Sequence, residues 1–206
     1  MDDPWDEDAM LSSFDELSSY QQGVVAALVA YRVGVLAEFP DIDQFFSYAP
    51  GYTFLIEDVL RALEQAALVG HVDADEARAL KERLEELLGP DGEEYEEPDA
   101  WVPACHINAA SMADYALRAW AEADESRAHG FQVLSDSDAF TAGLHDNEPT
   151  LEVLEIARQQ ADMDAVKRVA EPMTRSDFDA LKAQSEEVRE AIRAQFQVII
   201  KNVGYS

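Results

Sequence analysis

The chain has 206 residues, 48% of them hydrophobic, which is enough for a substantial core and for one large domain or two small ones. Its 43 acids outweigh 15 bases, a formal charge of 28 negative, which disfavours binding to phosphate backbones or anionic membranes and favours a basic protein partner. A single cysteine excludes an internal disulfide, no charged leader precedes an apolar run, and no run reaches the roughly 20 residues that span a bilayer, so the expectation is a cytoplasmic protein.

The opening residues, 1–12, contain Pro4, five acids and no base, and are expected as an acidic mobile tail, with the helical domain covering 13–206. Ser13 and Glu16 fit the S-x-x-E capping box and predict a first helix from Phe14 to about Glu38, closed by Pro40. A short acidic segment holding Phe45 and Phe46 separates it from the next. Leu55, Val59, Leu60, Leu63 and Ala67 recur at helical spacing and predict a second helix over 52–69, with Gly70 as its stop.

Asp73 and Glu76 cap a third helix with Ala77, Leu80, Leu84, Leu87 and Leu88 on one stripe, ended by Gly89 and Pro90. The stretch 90–100, with six carboxylates between Asp91 and Asp99, reads as a solvated acidic linker. A fourth helix is expected from Ile107 or Asn108 to His129, stopped by Gly130, its Ala110 and Ala113 allowing a neighbour to approach closely. Residues 131–149 are ambiguous, with a short helix around 138–142. DNEP at 146–149 then starts a fifth helix to about Ala170.

Thr174 or Ser176 begins the last helix. Phe178, Leu181, Val188, Ile192, Phe196, Ile199 and Val203 repeat at threes and fours, which marks it as the expected central packing helix. No segment alternates in the manner of a strand, so the fold expected is all-α, a single-domain bundle of five to seven helices.

Chemistry-bearing patterns are few. None of His71, His106, His129 or His145 has an acid three residues before it, against the Glu-x-x-His pairs of a di-iron bundle. Glu125 and His129 lie four apart and read as an exposed ion pair, and HVDADEARAL lacks the glycine of a calcium loop. Adjacent Cys105 and His106 point in different directions, so Cys105 reads as a small hydrophobe and His106 as a cap or a partner of the acidic linker. No phosphate-binding loop or nucleophile elbow is present. No catalytic residue, metal ligand or cofactor is assigned.

Charge is uneven: residues 1–100 hold 25 acids against 5 bases, so most of the negative field belongs to the first half. Glu82, Glu85, Glu86, Glu93, Glu94, Glu96 and Glu97 are the expected anionic docking residues for a basic partner such as a toxin or nuclease, with Tyr95 and Trp101 as aromatic anchors. One alternative is a metal-dependent or small-molecule enzyme using Glu57, Asp58, His106 and Asp114. Another is adaptation to a salty cytoplasm or a high-GC genome, which four Lys against eleven Arg would also fit.

FDELSSYQQGVVAALVAYR, FLIEDVLRALEQA, the acidic linker leading to WVPACHINAASMADYAL, and EPTLEVLEIARQQ together resemble the YjaG-like family of uncharacterised bacterial helical proteins over about residues 14–160. The segment EFPDIDQFF departs from that pattern. The resemblance implies an all-helical fold and transfers no functional residue.

Overall fold

A computed structural model describes residues 5–39, 51–88, 101–144 and 150–202. Among them the secondary structure is helical throughout: α1 (Glu7–Asp15), α2 (Ser19–Val33), a 3-10 turn (Gly34–Glu38), α3 (Tyr52–Val69), α4 (Ala74–Leu88), α5 (Trp101–Ala121), α6 (Ser126–Gly143), α7 (Thr150–Val166) and α8 (Arg175–Asn202). The all-α expectation is met, with more helices than five to seven because two predicted segments divide. The tail before residue 5, the linker 90–100, Phe45 and Phe46, and the DNEP turn lie outside the described residues.

The first division is at the N-terminus. Residues 7–12, expected in the mobile tail, begin α1: the Asp6 carboxylate accepts from the Ala9 amide at 3.0 Å, and Glu7 and Asp8 complement the helix dipole. Met10 and Phe14 anchor α1 in the core. Ser13, expected as a cap, lies inside this helix and donates to the Ala9 carbonyl. The reciprocal capping box forms five residues later, between Ser18 and Gln21, and opens α2. Both serines satisfy the pattern; the one whose following residues can be buried starts the long helix.

That helix is the centre of the molecule, in place of α8. From Gln22 to Ala30 every residue of α2 is buried, because GVVAALVA is apolar on all sides and α5, α6, α7, α8 and α3 surround it. By contrast α8 buries one stripe, Phe178, Leu181, Val188, Ile192 and Phe196, and of its charged residues only Arg189 is buried, held by the Tyr31 carbonyl and Glu38. A long amphipathic pattern marks a helix on the outside of a bundle; an all-apolar one marks its axis.

The second division separates α5 from α6. Expected to stop at Gly130, the chain instead breaks at 122–125, where Ser126 donates its hydroxyl proton to the Ala119 carbonyl at 2.6 Å and satisfies the end of α5. Gly130 sits inside α6 because a β-carbon there would come within 2.9 Å of the Phe14 ring. At its other end α5 begins at Trp101, ahead of the expected 107, with Pro103 in the first turn where its missing N–H is not needed. The boundaries of α3 are as expected, and Gly70 ends it at φ 87°. Asp73 caps α4 through its carboxylate, and Thr174, paired reciprocally with Asp177, caps α8.

The axis is pinned by charge. Arg32, near the end of α2 and 0% exposed, forms a two-pronged contact with Glu155 of α7 (2.8 and 2.7 Å) and reaches Asp162 at 2.7 Å and Ser185 of α8 at 3.3 Å. Ser137 of α6 and Gln159 also donate to Glu155, and Arg158 holds the second oxygen of Asp162. Burial alone would lower the Arg32 pKa, but the charges and hydrogen bonds of Glu155 and Asp162 outweigh it and hold it above its ordinary value. The group stays charged.

Close approach is visible at Gly23 of α2, where an added β-carbon would stand 2.6 Å from the Trp120 indole, whose N–H donates to the Gly23 carbonyl at 3.1 Å. Gly143, at the end of α6, faces open space. Gly23→Ala is therefore expected to destabilise by about 1–3 kcal/mol and Gly143→Ala to stabilise by up to about 1 kcal/mol in denaturant unfolding. Equal effects of the two substitutions would contradict this packing.

Candidate functional site

The expected anionic face is carried by α4, which packs chiefly on α3 and α5 through Ala77, Leu80 and Leu84 and leaves its other sides to solvent. Glu82, Glu85 and Glu86 are exposed there. Glu85 is engaged by Arg118 at 3.4 Å, whereas Glu82 and Glu86 meet no cation among the described residues. Of the remaining expected contacts, Glu93, Glu94, Tyr95, Glu96 and Glu97 lie outside the described residues; Trp101 opens α5, with its side chain outside them too.

The bases explain why this face stays negative. Every Lys and Arg of the chain is in a described segment, and all but Arg168 and Lys201 are in ion pairs within them. On α4 itself Arg78 pairs with Asp75, Lys81 reaches Glu122 and Arg83 reaches Asp58. Between Arg83 and Arg118 the sequence has no Lys or Arg. Unpaired exposed carboxylates also stand on α1 (Glu7, Asp8), α7 (Asp164) and α8 (Asp179, Glu187), so negative potential extends beyond α4.

The residues of the enzyme alternative are not brought together. His106 is 0% exposed, its ring edge-on to Tyr52 and Phe196 at 5.2 Å from each, and its carbonyl accepts from the Tyr52 hydroxyl at 3.0 Å. It is a core residue. Asp114 is eight residues further along the same helix, about 12 Å away, and is held by Arg118 at 2.6 Å. Burial pushes the Asp114 carboxyl up against that pull. Glu57 is exposed on α3, and Asp58 is shared by Arg61 and Arg83.

Between α4 and α5 lies a groove of about 310 Å³ floored by Ala77, Leu117 and Trp120 and edged by Lys81 and Glu122. At its end the α5–α6 turn assembles a cluster that sequence spacing showed only in part. Glu125 and His129 do meet, at 3.3 Å, and Glu122 joins them at 3.0 Å from the same His129 Nε2. The imidazole is 13% exposed and stacked on Tyr115, with centroids 5.8 Å apart. The other Glu122 oxygen accepts from Lys81 at 2.9 Å, and that bond, foremost, holds the Glu122 carboxyl below its ordinary pKa.

Sequence reasoning missed Glu122, whose ligand geometry depends on a helix break, and the Arg32 cluster, whose partners are 123 and 130 residues away. One signal pointed to the second: Arg32 is the first base of the chain, set at the end of its most apolar stretch. Comparisons with protein-family models, with curated proteins and with solved structures found no match.

Cys105 packs as expected, 3% exposed, and burial pushes its thiol up to about 12. The thiolate is the reactive form, so a disulfide-exchange reagent at about pH 8 should leave the native protein unmodified and label its one cysteine after denaturation. Rapid full labelling of the native protein would contradict the burial.

Proposed function

We propose that this chain is a non-enzymatic, cytoplasmic interaction protein of the bacterial immunity or inhibitor kind, whose α4 face and following acidic segment bind a basic protein such as a toxin or nuclease. The observation that carries the reading is the absence of Lys and Arg from Leu84 to Leu117, beside and within which the exposed Glu82 and Glu86 of α4 have no cation partner among the described residues. An array of carboxylates on a helix mimics the charge of a phosphate backbone. A groove rich in Lys and Arg accepts either, and long-range attraction speeds their encounter. The resemblance to YjaG-like proteins supplies a fold and no residue role, so the reading stands on charge.

Among the described residues no helix is long and apolar enough to cross a membrane.

A second reading, general acidity suited to a salty cytoplasm, is supported by the unpaired carboxylates on α1, α7 and α8. It predicts unfolding at low ionic strength.

Co-expression with the products of flanking genes is expected to relieve the toxicity of one of them. For that partner, neutralising Glu82, Glu86, Glu93, Glu94, Glu96 and Glu97 to Gln should slow association about tenfold or more, and added salt should do the same to the unaltered chain. Neutralising Glu7, Asp8, Asp179 and Glu187 should leave the rate unchanged. Equal slowing by both sets would overturn the α4 face in favour of diffuse acidity.

A further inference from the structure

We infer that Glu122, Glu125 and His129 form a binding site for a zinc-class divalent metal ion at the α5–α6 corner. The site is independent of the α4 docking face and needs no partner protein.

Geometry is the first ground. One ligand atom from each residue lies within 4.8 Å of the others, and His129 Nε2 stands 3.0 Å from Glu122 and 3.3 Å from Glu125. A tetrahedral zinc ion with bonds of about 2.0–2.1 Å sets its ligand atoms about 3.4 Å apart, so small side-chain rotations complete the site. The break after Ala121 is what makes this possible. It turns the chain so that Glu122, ahead of α6, faces the first turn that carries His129.

Orientation is the second ground. Lys81 takes one oxygen of Glu122 and leaves the other aimed at the imidazole, while Tyr115 stacks on the ring and fixes its plane. Partners of this kind orient metal ligands from outside the coordination shell. Glu125, with its side chain 68% exposed, gives the ion an open route and leaves room for water or an exogenous ligand as the fourth group.

Chemistry selects the ion. One imidazole with two carboxylates suits zinc and its first-row neighbours, whereas magnesium and calcium prefer oxygen alone. The chain's net charge of 28 negative raises the local concentration of any dication. That same charge could hold zinc diffusely, so the test must distinguish a built site from the acidic surface.

The 206-residue chain, stripped with chelator, is titrated with zinc chloride in a calorimeter and separately with cobalt(II) while visible absorption is recorded. Expected are one saturable zinc site and a cobalt absorption band, with E125Q and H129Q each weakening zinc binding by at least about tenfold and H129Q abolishing the band. The linker variant E93Q/E94Q/E96Q/E97Q should bind as the unaltered chain does. Because Glu125 is largely exposed, E125Q should keep the native helical content and thermal midpoint, which separates loss of a ligand from loss of the fold. The inference is overturned if no saturable site is found, if E125Q and H129Q bind like the unaltered chain, or if only the linker variant loses binding.

Discussion

One guanidinium organises this bundle. Arg32 ends the buried axis helix α2 and is gripped by Glu155 and Asp162 of α7 and by Ser185 of α8, while Ser137 of α6 completes the shell around Glu155. Removing a charge from water costs several kcal/mol, so such a group is tolerated only where geometry and hydrogen bonding are good. The requirement is directional, unlike apolar packing, and it fixes how α6, α7 and α8 sit around α2. Gly23 and Gly130 then let Trp120 and Phe14 close on the same axis and on α6.

The same scarcity of positive charge shapes the outside. Arg127 and Lys167 tie α6 and the residues after α7 to Asp15 and Glu16, Arg175 and Lys182 tie α8 to Glu64 of α3, and Arg83 ties α4 to Asp58. Exposed pairs of this kind contribute little each and weaken in salt. Their larger consequence is that the bases are already engaged by the molecule's own acids. What remains for a partner or a cation to meet is chiefly carboxylate, on α4, at the α5–α6 corner and on α1, α7 and α8.

Much of the fold was legible because local rules suffice for it. The apolar stripe and Gly70 bound α3, Asp73 starts α4, and Thr174 starts α8. Legibility failed where two sites obey one rule or where packing overrides it. Ser13 and Ser18 both fit a cap, and only burial of the following apolar run selects Ser18. Gly130 fits a helix stop, yet contact with Phe14 places it within α6. The long amphipathic α8 looked central because it has the longest repeat, although repeat length says nothing about how many faces are covered. Of the functional features, the acid surplus was visible in composition, whereas the Glu122–Glu125–His129 cluster depends on a helix break that no spacing rule specifies. The partners of Arg32 are set by tertiary structure alone.

The most direct test of this account is the unfolding free energy of Arg32→Met, measured in urea against the unaltered chain. Two buried carboxylates lose their shared cation, so a loss of about 3–5 kcal/mol is expected. A loss below about 1 kcal/mol, the range of exposed pairs, would show that the buried ion cluster does not organise the bundle.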